Sequence, residues 1–354
     1  MKRIKLLSVC LLVALLALAC VPTSMPTVTP TPTNTPTPTP TPTPSVIRVE
    51  VDGSGHYATL EEAVAGAPEG VPIELGAGTF HLEEPLEVRR PITLRGAGME
   101  KTEIVSDAEG YVVRFVRDGP FVVEDITFRH EGREVAAVVL VRGGEVAFTR
   151  CRFTGAVYDE DRDAGGGGLY FKEDAAGIVQ DCEFVENTVG IFVADRSEPK
   201  LEGNAVTDND GFGITYRDNA GGVARGNDCS WNNIGIGVLW RAQPTLEENT
   251  CTNNTYYGIL YRGNTSGTAR HNECSGNGEV GITVIERARP TLEENVCEDN
   301  GVVGIYYTDE AGGVARENEC SGNMYGIYVE ATANPELIDN DCHDNSEVDI
   351  VDDR

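Results

Sequence analysis

The sequence predicts an all-β protein folded as a parallel β-helix solenoid with coils of 22–23 residues. Three observations predict this fold: asparagine recurs at a fixed period, a second asparagine and a Gly-Ile pair follow it at nearly constant distances, and the region has no helical periodicity. Short segments rich in glycine and asparagine at this period are typical of one solenoid turn per repeat, stacked by parallel-sheet hydrogen bonds. The first asparagine series is Asn204, Asn227, Asn249, Asn272, Asn295, Asn318 and Asn340.

The other repeated residues mark fixed places in each coil. A second asparagine follows the first by five residues, and a cysteine lies between the two in most coils. Asparagine suits a bend because it tolerates a left-handed backbone and its amide can bond its counterpart one coil away. We therefore expect two asparagine ladders, with the cysteines and the isoleucines of the Gly-Ile pairs pointing inward. The second series is Asn209, Asn232, Asn254, Asn277, Asn300, Asn323 and Asn345, and the cysteines are Cys229, Cys251, Cys274, Cys297, Cys320 and Cys342.

The predicted core alternates in size from coil to coil. Leucine and alanine alternate at one inward position, and valine and tyrosine alternate at another. Because protein interiors pack at nearly crystalline density, large and small side chains must interdigitate. The structural unit is therefore predicted to be a pair of coils, 45–46 residues long. The two series are Leu201, Ala224, Leu246, Ala269, Leu292, Ala315 and Leu337, and Val193, Tyr216, Val238, Tyr261, Val284, Tyr307 and Val329.

A short helix is predicted at the start of the solenoid. Thr59 and Glu62 form a capping box, which predicts a helix over 60–66. This helix would cover the first open edge of the solenoid, and an uncovered edge invites aggregation.

The repeated pattern resembles the right-handed parallel β-helix proteins of the pectate-lyase and pectin-methylesterase-like superfamily. Coils of the form N-x-C-x-x-N-x-x-x-G-I carry the resemblance across about 178–350, and the segments 51–70, 73–82 and 92–98 resemble the opening of pectin methylesterases. The resemblance implies the right-handed sense of the helix, which periodicity alone does not give. It brings no catalytic residue, because the family motifs QAVAL, QDTL, DFIFG and LGRPW do not occur in this sequence.

The start of the chain predicts export. Basic residues precede an apolar run that is too short for a transmembrane span, so 1–19 is predicted to be a signal peptide. The segment resembles a bacterial lipoprotein signal, which implies that Cys20 is the lipidated residue. Ordinary secretory cleavage after Ala19 is the alternative.

The segment 20–45 is rich in proline and threonine and predicts an extended stalk. The folded domain is then predicted to occupy 46–354.

The charge of the chain limits its partners. Its 57 acidic residues stand against 28 lysines and arginines, which gives a net charge of −29. Nucleic acid is excluded as a partner, because phosphate binding needs clustered cations. A polyanion would be repelled unless a cation bridged it.

The repeated cysteines and glutamates are interpreted as structural. Cysteines stacked at one inward position have parallel Cβ directions, which suit a disulfide poorly, so we expect small buried hydrophobes. The pairs Glu247–Glu248 and Glu293–Glu294 recur in alternate coils. They are therefore interpreted as a solvated outer face, and not as acid and base for catalysis.

An acidic loop interrupts the repeat at 158–168. Asp159, Asp161 and Asp163 are spaced like the first ligands of a calcium loop, although Ala164 and Tyr170 depart from the EF-hand pattern. The three aspartates are candidate calcium ligands, and a flexible acidic loop is the alternative.

The outward face after the Gly-Ile pairs is the candidate binding site. Exposed aromatic, basic and acidic side chains in a shallow groove suit the stacking and hydrogen bonding of sugar rings, and the resemblance implies a polysaccharide partner. The ordinary surface of a sheet is the alternative. Strand alternation sends Thr215, Leu260, Thr283, Tyr306 and Tyr328 outward, followed by Arg217, Arg262, Ile285, Thr308 and Glu330. The candidate substrate-binding residues are Arg217, Trp240, Arg241, Arg262, Glu286 and Asp309.

The sequence therefore predicts a monomeric, exported and lipid-anchored cell-surface protein that binds polysaccharide. Calcium is the one candidate cofactor, and no catalytic residue is assigned. Two alternatives stay open: a polysaccharide lyase or hydrolase acting on the same face, and a non-catalytic spacer or adhesin.

Overall fold

The computed structural model describes residues 44–117, 119–159 and 164–354, which form a parallel β-solenoid. The all-β fold and the coil length of 22–23 residues are confirmed, since strands of neighbouring coils pair in parallel at that spacing through the asparagine-rich region. In the described chain, the first sheet has 13 strands. They are Ile47–Val49, Ile73–Leu75, Ile92–Arg95, Phe121–Glu124, Glu145–Thr149, Ala176–Gln180, Glu198–Glu202, Val223–Arg225, Thr245–Glu247, Thr268–Arg270, Thr291–Glu293, Gly312–Arg316 and Asn334–Ile338.

The second sheet contains the Gly-Ile pairs and carries the candidate site. It has 12 strands within the described residues. They are Leu86–Val88, Gly110–Val116, Ala136–Arg142, Leu169–Lys172, Val189–Val193, Phe212–Tyr216, Ile234–Trp240, Tyr257–Gly263, Val280–Glu286, Val303–Tyr307, Tyr325–Val329 and Val348–Asp352.

The third sheet is interrupted. Its two runs of strands are joined by single bridges through Asp228, Thr250 and Glu273. Tyr158–Asp159 pairs antiparallel with Ala164–Gly165, and Tyr158 packs against Phe192 of the second sheet. The third-sheet strands are Gly78–His81, Thr102–Ser106, Thr127–His130, Arg152–Thr154, Glu183–Val185, Ala205–Val206, Val296–Glu298, Glu319–Ser321 and Asp341–His343.

The predicted capping helix is confirmed as Leu60–Gly66. Thr59 Oγ1 accepts the backbone N–H of Glu62 at 3.2 Å, and Glu62 Oε2 accepts the N–H of Ala58 at 3.2 Å. Leu60, Ala63 and Val64 are buried against the first coils. This is the one helix of the described residues, and nothing in that part of the chain offers a membrane-spanning helix.

The predicted alternation of the core is confirmed. Tyr216, Tyr261 and Tyr307 are fully buried, and each lies in a coil whose other core position holds a buried alanine. The intervening coils pair valine with leucine instead. Each pair of coils therefore fills the interior with complementary volumes.

Both asparagine ladders are present. Asn249 Nδ2 donates to Asn272 Oδ1 at 2.9 Å, and Asn254 Nδ2 donates to Asn277 Oδ1 at 3.0 Å. The first ladder continues toward the N-terminus with a thiol, because the N–H of Cys151 donates to Cys182 Sγ at 3.4 Å.

The repeated cysteines form a buried column, as the sequence predicts. The eight cysteines of the described residues are all free thiols, and Cys342, at the last coil, is half-buried while the others are buried. Burial raises the pKa of the Cys229 and Cys274 thiols. Protonated thiols in this setting act as small apolar side chains.

The structure corrects the interpretation of Glu247 as solvated. In the first sheet, Glu247 lies in register between Arg225 and Arg270, and only 8% of its side chain is exposed. Arg225 Nε donates to it at 2.9 Å and Arg270 Nη2 lies 2.6 Å away. The strand register is the reason, because it alternates arginine and glutamate at this position in successive coils. The next residue after Arg270 in this row is Glu293. The neighbouring Glu248 is exposed.

Candidate functional site

Each glycine of the Gly-Ile pairs lies where a side chain would meet the next coil. At Gly258, a Cβ would lie 2.7 Å from the carbonyl oxygen of Gly281 and 3.0 Å from Asn277 Nδ2. Ile259, directly after it, is fully buried. Because two successive residues face inward, the alternation of the strand is interrupted, and the preceding residue, Tyr257, lies on the outward face.

Three rows of side chains in register cover this outward face of the second sheet. The apolar row comes from the residues before the glycines, the central row from the residues after the isoleucines, and the polar row lies two residues further along. The apolar row is Phe212, Ile234, Tyr257, Val280, Val303 and Tyr325. The central row is Thr215, Gly237, Leu260, Thr283, Tyr306 and Tyr328. The polar row is Arg262, Ile285, Thr308 and Glu330, three of which are polar.

The three rows enclose a groove with a volume of about 760 Å³. Leu260 and Thr283 are buried in its floor, and Tyr257 and Tyr325 are partly exposed along one wall. Glu279 and Val302, from the bends, complete the lining. The groove is therefore apolar along one wall and hydrogen-bonding along the other.

One carboxylate and two hydroxyls form a hydrogen-bonded cluster at one end of the groove. The hydroxyls of Tyr306 and Thr308 both donate to the carboxylate of Glu330. Hydrogen bonds from Thr308 and Tyr306 lower the pKa of Glu330. Burial, and secondly the hydrogen bond to Glu330, raise the pKa of Tyr306 to about 12. At neutral pH, Tyr306 therefore keeps its proton, and the ionised Glu330 is a hydrogen-bond acceptor in the lining of the groove.

A second cavity of about 450 Å³ lies on the other side of Phe212. The ring of Phe212 leans across Gly237, where an added Cβ would lie 2.6 Å from the ring. Phe212 lines both cavities and is thus their shared wall. The sequence analysis assigns Phe212 no role in the site.

Two of the predicted site residues, Arg217 and Trp240, meet in this second cavity. The Arg217 guanidinium carbon lies 4.1 Å from the centre of the Trp240 ring and 5.3 Å from that of Phe192. Its Nη1 donates to the hydroxyl of Tyr158 at 3.2 Å. Trp240 is 52% exposed, so the stacked pair presents an open aromatic face beside the cavity.

The other predicted site residues lie further along the sheet. Arg262 Nε donates to Glu286 Oε1 at 2.8 Å, and Asp309 Oδ2 accepts the backbone N–H of Glu286 at 3.1 Å. Glu286 and Asp309, like Trp240, have a left-handed backbone at the bend, with φ of 60°, 58° and 65°. Arg241 is exposed at the same bend. Arg262 lines the groove. Glu286 is the last residue of its strand, Arg241 and Asp309 lie beyond their strand ends, and all three are outside the lining of both cavities.

The predicted calcium ligands are only partly within the described residues. Asp159 ends the strand Tyr158–Asp159 and pairs with Ala164. Asp161 and Asp163 lie outside the described residues, as do the predicted signal peptide, Cys20 and nearly all of the predicted stalk. The calcium site therefore stays a prediction.

The apolar row, which strict alternation misses, has a recognisable signal in the sequence. Large apolar residues precede the glycine in successive coils, at a position that strict alternation assigns to the core. The core of each coil is instead filled by the isoleucine two residues later, which is fully buried. When a repeated glycine has an apolar residue before it and another after it, the residue before it thus points outward and the residue after it points inward.

Solved structures with the same fold include two A-modules of mannuronan C-5 epimerases from Azotobacter vinelandii. The AlgE4 module is 20% identical, covers 83% of this chain and 91% of its own, and has a TM-score of 0.66. The AlgE6 module is 17% identical, covers 83% and 93%, and has a TM-score of 0.63. The periplasmic alginate epimerase AlgG is 18% identical over 80% of this chain and 82% of its own, with a TM-score of 0.52. At these identities the likeness concerns the fold.

Comparison with curated protein sequences gives no match. The family model described as the right-handed beta helix region matches residues 105–243 and 216–346. These two ranges confirm the right-handed sense that the resemblance implies, and together they span more than half of the sequence. The chain belongs to the right-handed β-helix family.

Proposed function

We propose that the protein is an exported, cell-surface β-helix protein that binds polysaccharide in the groove of the second sheet. The observation that carries the proposal is the division of the groove into an apolar row and a polar row on either side of a shallow floor. A sugar ring has apolar C–H faces and a rim of hydroxyls. It therefore matches a surface with aromatic walls on one side and hydrogen-bonding groups on the other.

The direction of the groove supports a polymer as the ligand. Its six apolar-row residues come from six successive strands, and strands in a sheet are about 4.8 Å apart, so the row is about 24 Å long. It runs across the strands, along the axis of the solenoid. An extended chain of several sugars would contact it along its whole length.

The fold likeness supports a glycan partner in general terms. The A-modules and the alginate epimerase named above act on mannuronan and alginate, as their names state. Since function depends on the site and not on the fold, this likeness supports the class of partner and assigns no residue.

We place the domain outside the cell on a spacer. In this proposal, 1–19 is the export signal, Cys20 carries the lipid, and 20–45 is the stalk that joins it to a monomeric domain over 46–354. The Pro/Thr repeat over 22–45, at roughly 3.1 Å per residue, would hold the domain about 75 Å from its anchor. The groove would then be accessible to glycans beyond the membrane surface.

A glycan array followed by calorimetric titration tests the binding proposal. Tyr257→Ala removes an aromatic wall of the groove, and we expect about a tenfold loss of affinity. Tyr256→Ala is the matched control, because Tyr256 is 45% exposed and lies outside the groove lining. Thermal unfolding of both variants checks that they fold.

Three results of this experiment would change the proposal. Equal effects of the two tyrosine variants would remove the groove as the site. Binding to no glycan, with or without calcium, would leave the spacer or adhesin alternative. New reducing ends in the same incubations would favour the lyase or hydrolase alternative.

A further inference from the structure

We infer that the groove selects extended glycans built of uncharged sugars and rejects polyuronates. The inference rests on the proposed function, because it names the class of polysaccharide that the same groove would bind. It follows from the charges of the lining, the state of Glu330 and the shape of the apolar row.

Among its described lining residues, the groove has no cation without a carboxylate partner. Arg262 is the one basic residue of the lining, and Glu286 already neutralises it at 2.8 Å. Two carboxylates, Glu279 and Glu330, line the same groove. A polyuronate carries one carboxylate on each sugar, so it would face like charges at two places and a compensated cation at a third.

The environment of Glu330 also keeps its carboxylate ionised. Both of its hydroxyl partners, Tyr306 and Thr308, donate to the carboxylate and favour its ionised form. The remaining lone pairs of Glu330 require a donor. A hydroxyl of a neutral sugar or of a uronate supplies one, but the uronate also brings a carboxylate, which offers only acceptors and adds a like charge beside Glu330.

The whole chain adds to this discrimination. Its net charge of −29 creates a negative potential that repels polyanions before they reach the groove. An uncharged glycan is unaffected by that potential. The surface is therefore suited to a neutral polymer at any ionic strength.

The apolar row supplies the attractive part of the interaction. Tyr257 and Tyr325 present partly exposed rings, with the buried Val280 and Val303 between them. Stacking of sugar C–H faces on such a row does not depend on charge. We therefore expect affinity for a neutral glycan to be nearly independent of salt.

The test compares neutral and uronate polymers on the intact protein, with a chelator in all samples so that no divalent cation bridges like charges. The probes are a soluble β-glucan, a mannan and a xylan backbone as neutral polymers, and polymannuronate and polygalacturonate as polyuronates, each titrated at low and high salt. We expect at least one neutral polymer to bind about tenfold more tightly than either polyuronate, with affinity unchanged by salt.

Two glutamate variants provide a second readout. Glu279→Gln removes a charge from the groove, and we expect it to improve polyuronate binding about threefold without improving neutral binding. Glu310→Gln is its matched control, because Glu310 is exposed, pairs with Arg287 and lies outside the groove. Equal effects of the two variants would show that the discrimination does not come from the groove.

The outcomes separate this inference from the proposed function. Polyuronate binding that equals or exceeds neutral binding, and that is lost in Tyr257→Ala, would overturn the inference and leave the groove as a polysaccharide site. Binding of none of the probes, by a protein that unfolds cooperatively, would overturn both.

Discussion

The side-chain amide of Asn272 donates to Oδ1 of Asn295 at 2.9 Å, one coil further along the solenoid. The same amide donates to the carbonyl of Leu246 at 3.1 Å, while Asn272 Oδ1 accepts the backbone and side-chain N–H groups of Asn249. Asn272 is 1% exposed. One buried side chain thus satisfies polar groups in three successive coils.

Asn272→Ala should therefore destabilise the protein by about 3 kcal/mol, because it leaves buried backbone groups without partners. The free energy of unfolding, measured by denaturant titration, gives the comparison. Asn264→Ala, at an exposed asparagine eight residues earlier in the chain, serves as the control and should change stability by less than about 0.5 kcal/mol. A similar, small effect of both changes would mean that the ladder does not hold the coils together.

Gly258→Ala should cost about 2 kcal/mol, because the new methyl group would lie 2.7 Å from the carbonyl oxygen of Gly281, which is backbone and cannot turn aside. Gly221→Ala is the control, since a Cβ there would meet its nearest neighbour at an ordinary 3.6 Å. Thermal unfolding of the two variants measures the difference. Tolerance of alanine at Gly258 would contradict the close approach of neighbouring coils.

Cysteine reactivity should follow position in the column. Iodoacetamide should modify Cys342 first, because it is half-buried at the end of the column, and the other described cysteines only after unfolding. Peptide mass spectrometry before and after denaturation locates the modified thiols. Rapid modification of Cys229 in the folded protein would be the opposite result.

Glu247→Gln should lower stability at pH 7 by about 1 kcal/mol, because the ionised side chain accepts charge-assisted bonds from Arg225 and Arg270. Arg225 is the main reason that the pKa of Glu247 lies below its ordinary value. A carboxylate with a lowered pKa in the folded protein stabilises it above the unfolded-state pKa of about 4.3, and this contribution is lost as the pH falls further.

The stability difference between the parent protein and Glu247→Gln should therefore be full at neutral pH and shrink below about pH 4. Denaturant titrations at several pH values follow it. The exposed Glu248 provides the control, since Glu248→Gln should give no comparable difference at any pH. A difference that stays constant down to acid pH would exclude the ion pairs as its origin.

The repeat let the sequence predict most of the fold. The ladder residues, the cysteine column, the helix Leu60–Gly66 and the alternation of Tyr216 with Val238 all follow from period and polarity, because each coil repeats the environment of its neighbours. Handedness is different, since a period fits either sense. It came from the resemblance and was confirmed by the family match.

The candidate site was harder to predict because it depends on departures from simple alternation. The positions of Tyr306, Thr308 and Glu330 follow from alternation, and these residues do line the groove. Tyr257 and Phe212 do not follow from it, because the glycine after each of them turns two successive residues inward. Glu247 was misjudged because its partners lie one coil away on either side, and only strand register brings them together.

The pairing of coils fixes the step by which such a chain can grow or shrink. Loss of the single coil that contains Ala269 and Arg270 would bring Leu246 against Leu292 and Glu247 against Glu293, which replaces a complementary contact with crowding and like charge. Loss or duplication of two coils keeps every neighbour matched. We expect duplications in the gene to come in units of 45–46 codons, each lengthening the groove by about 10 Å. The length of the site is then inherited in discrete increments.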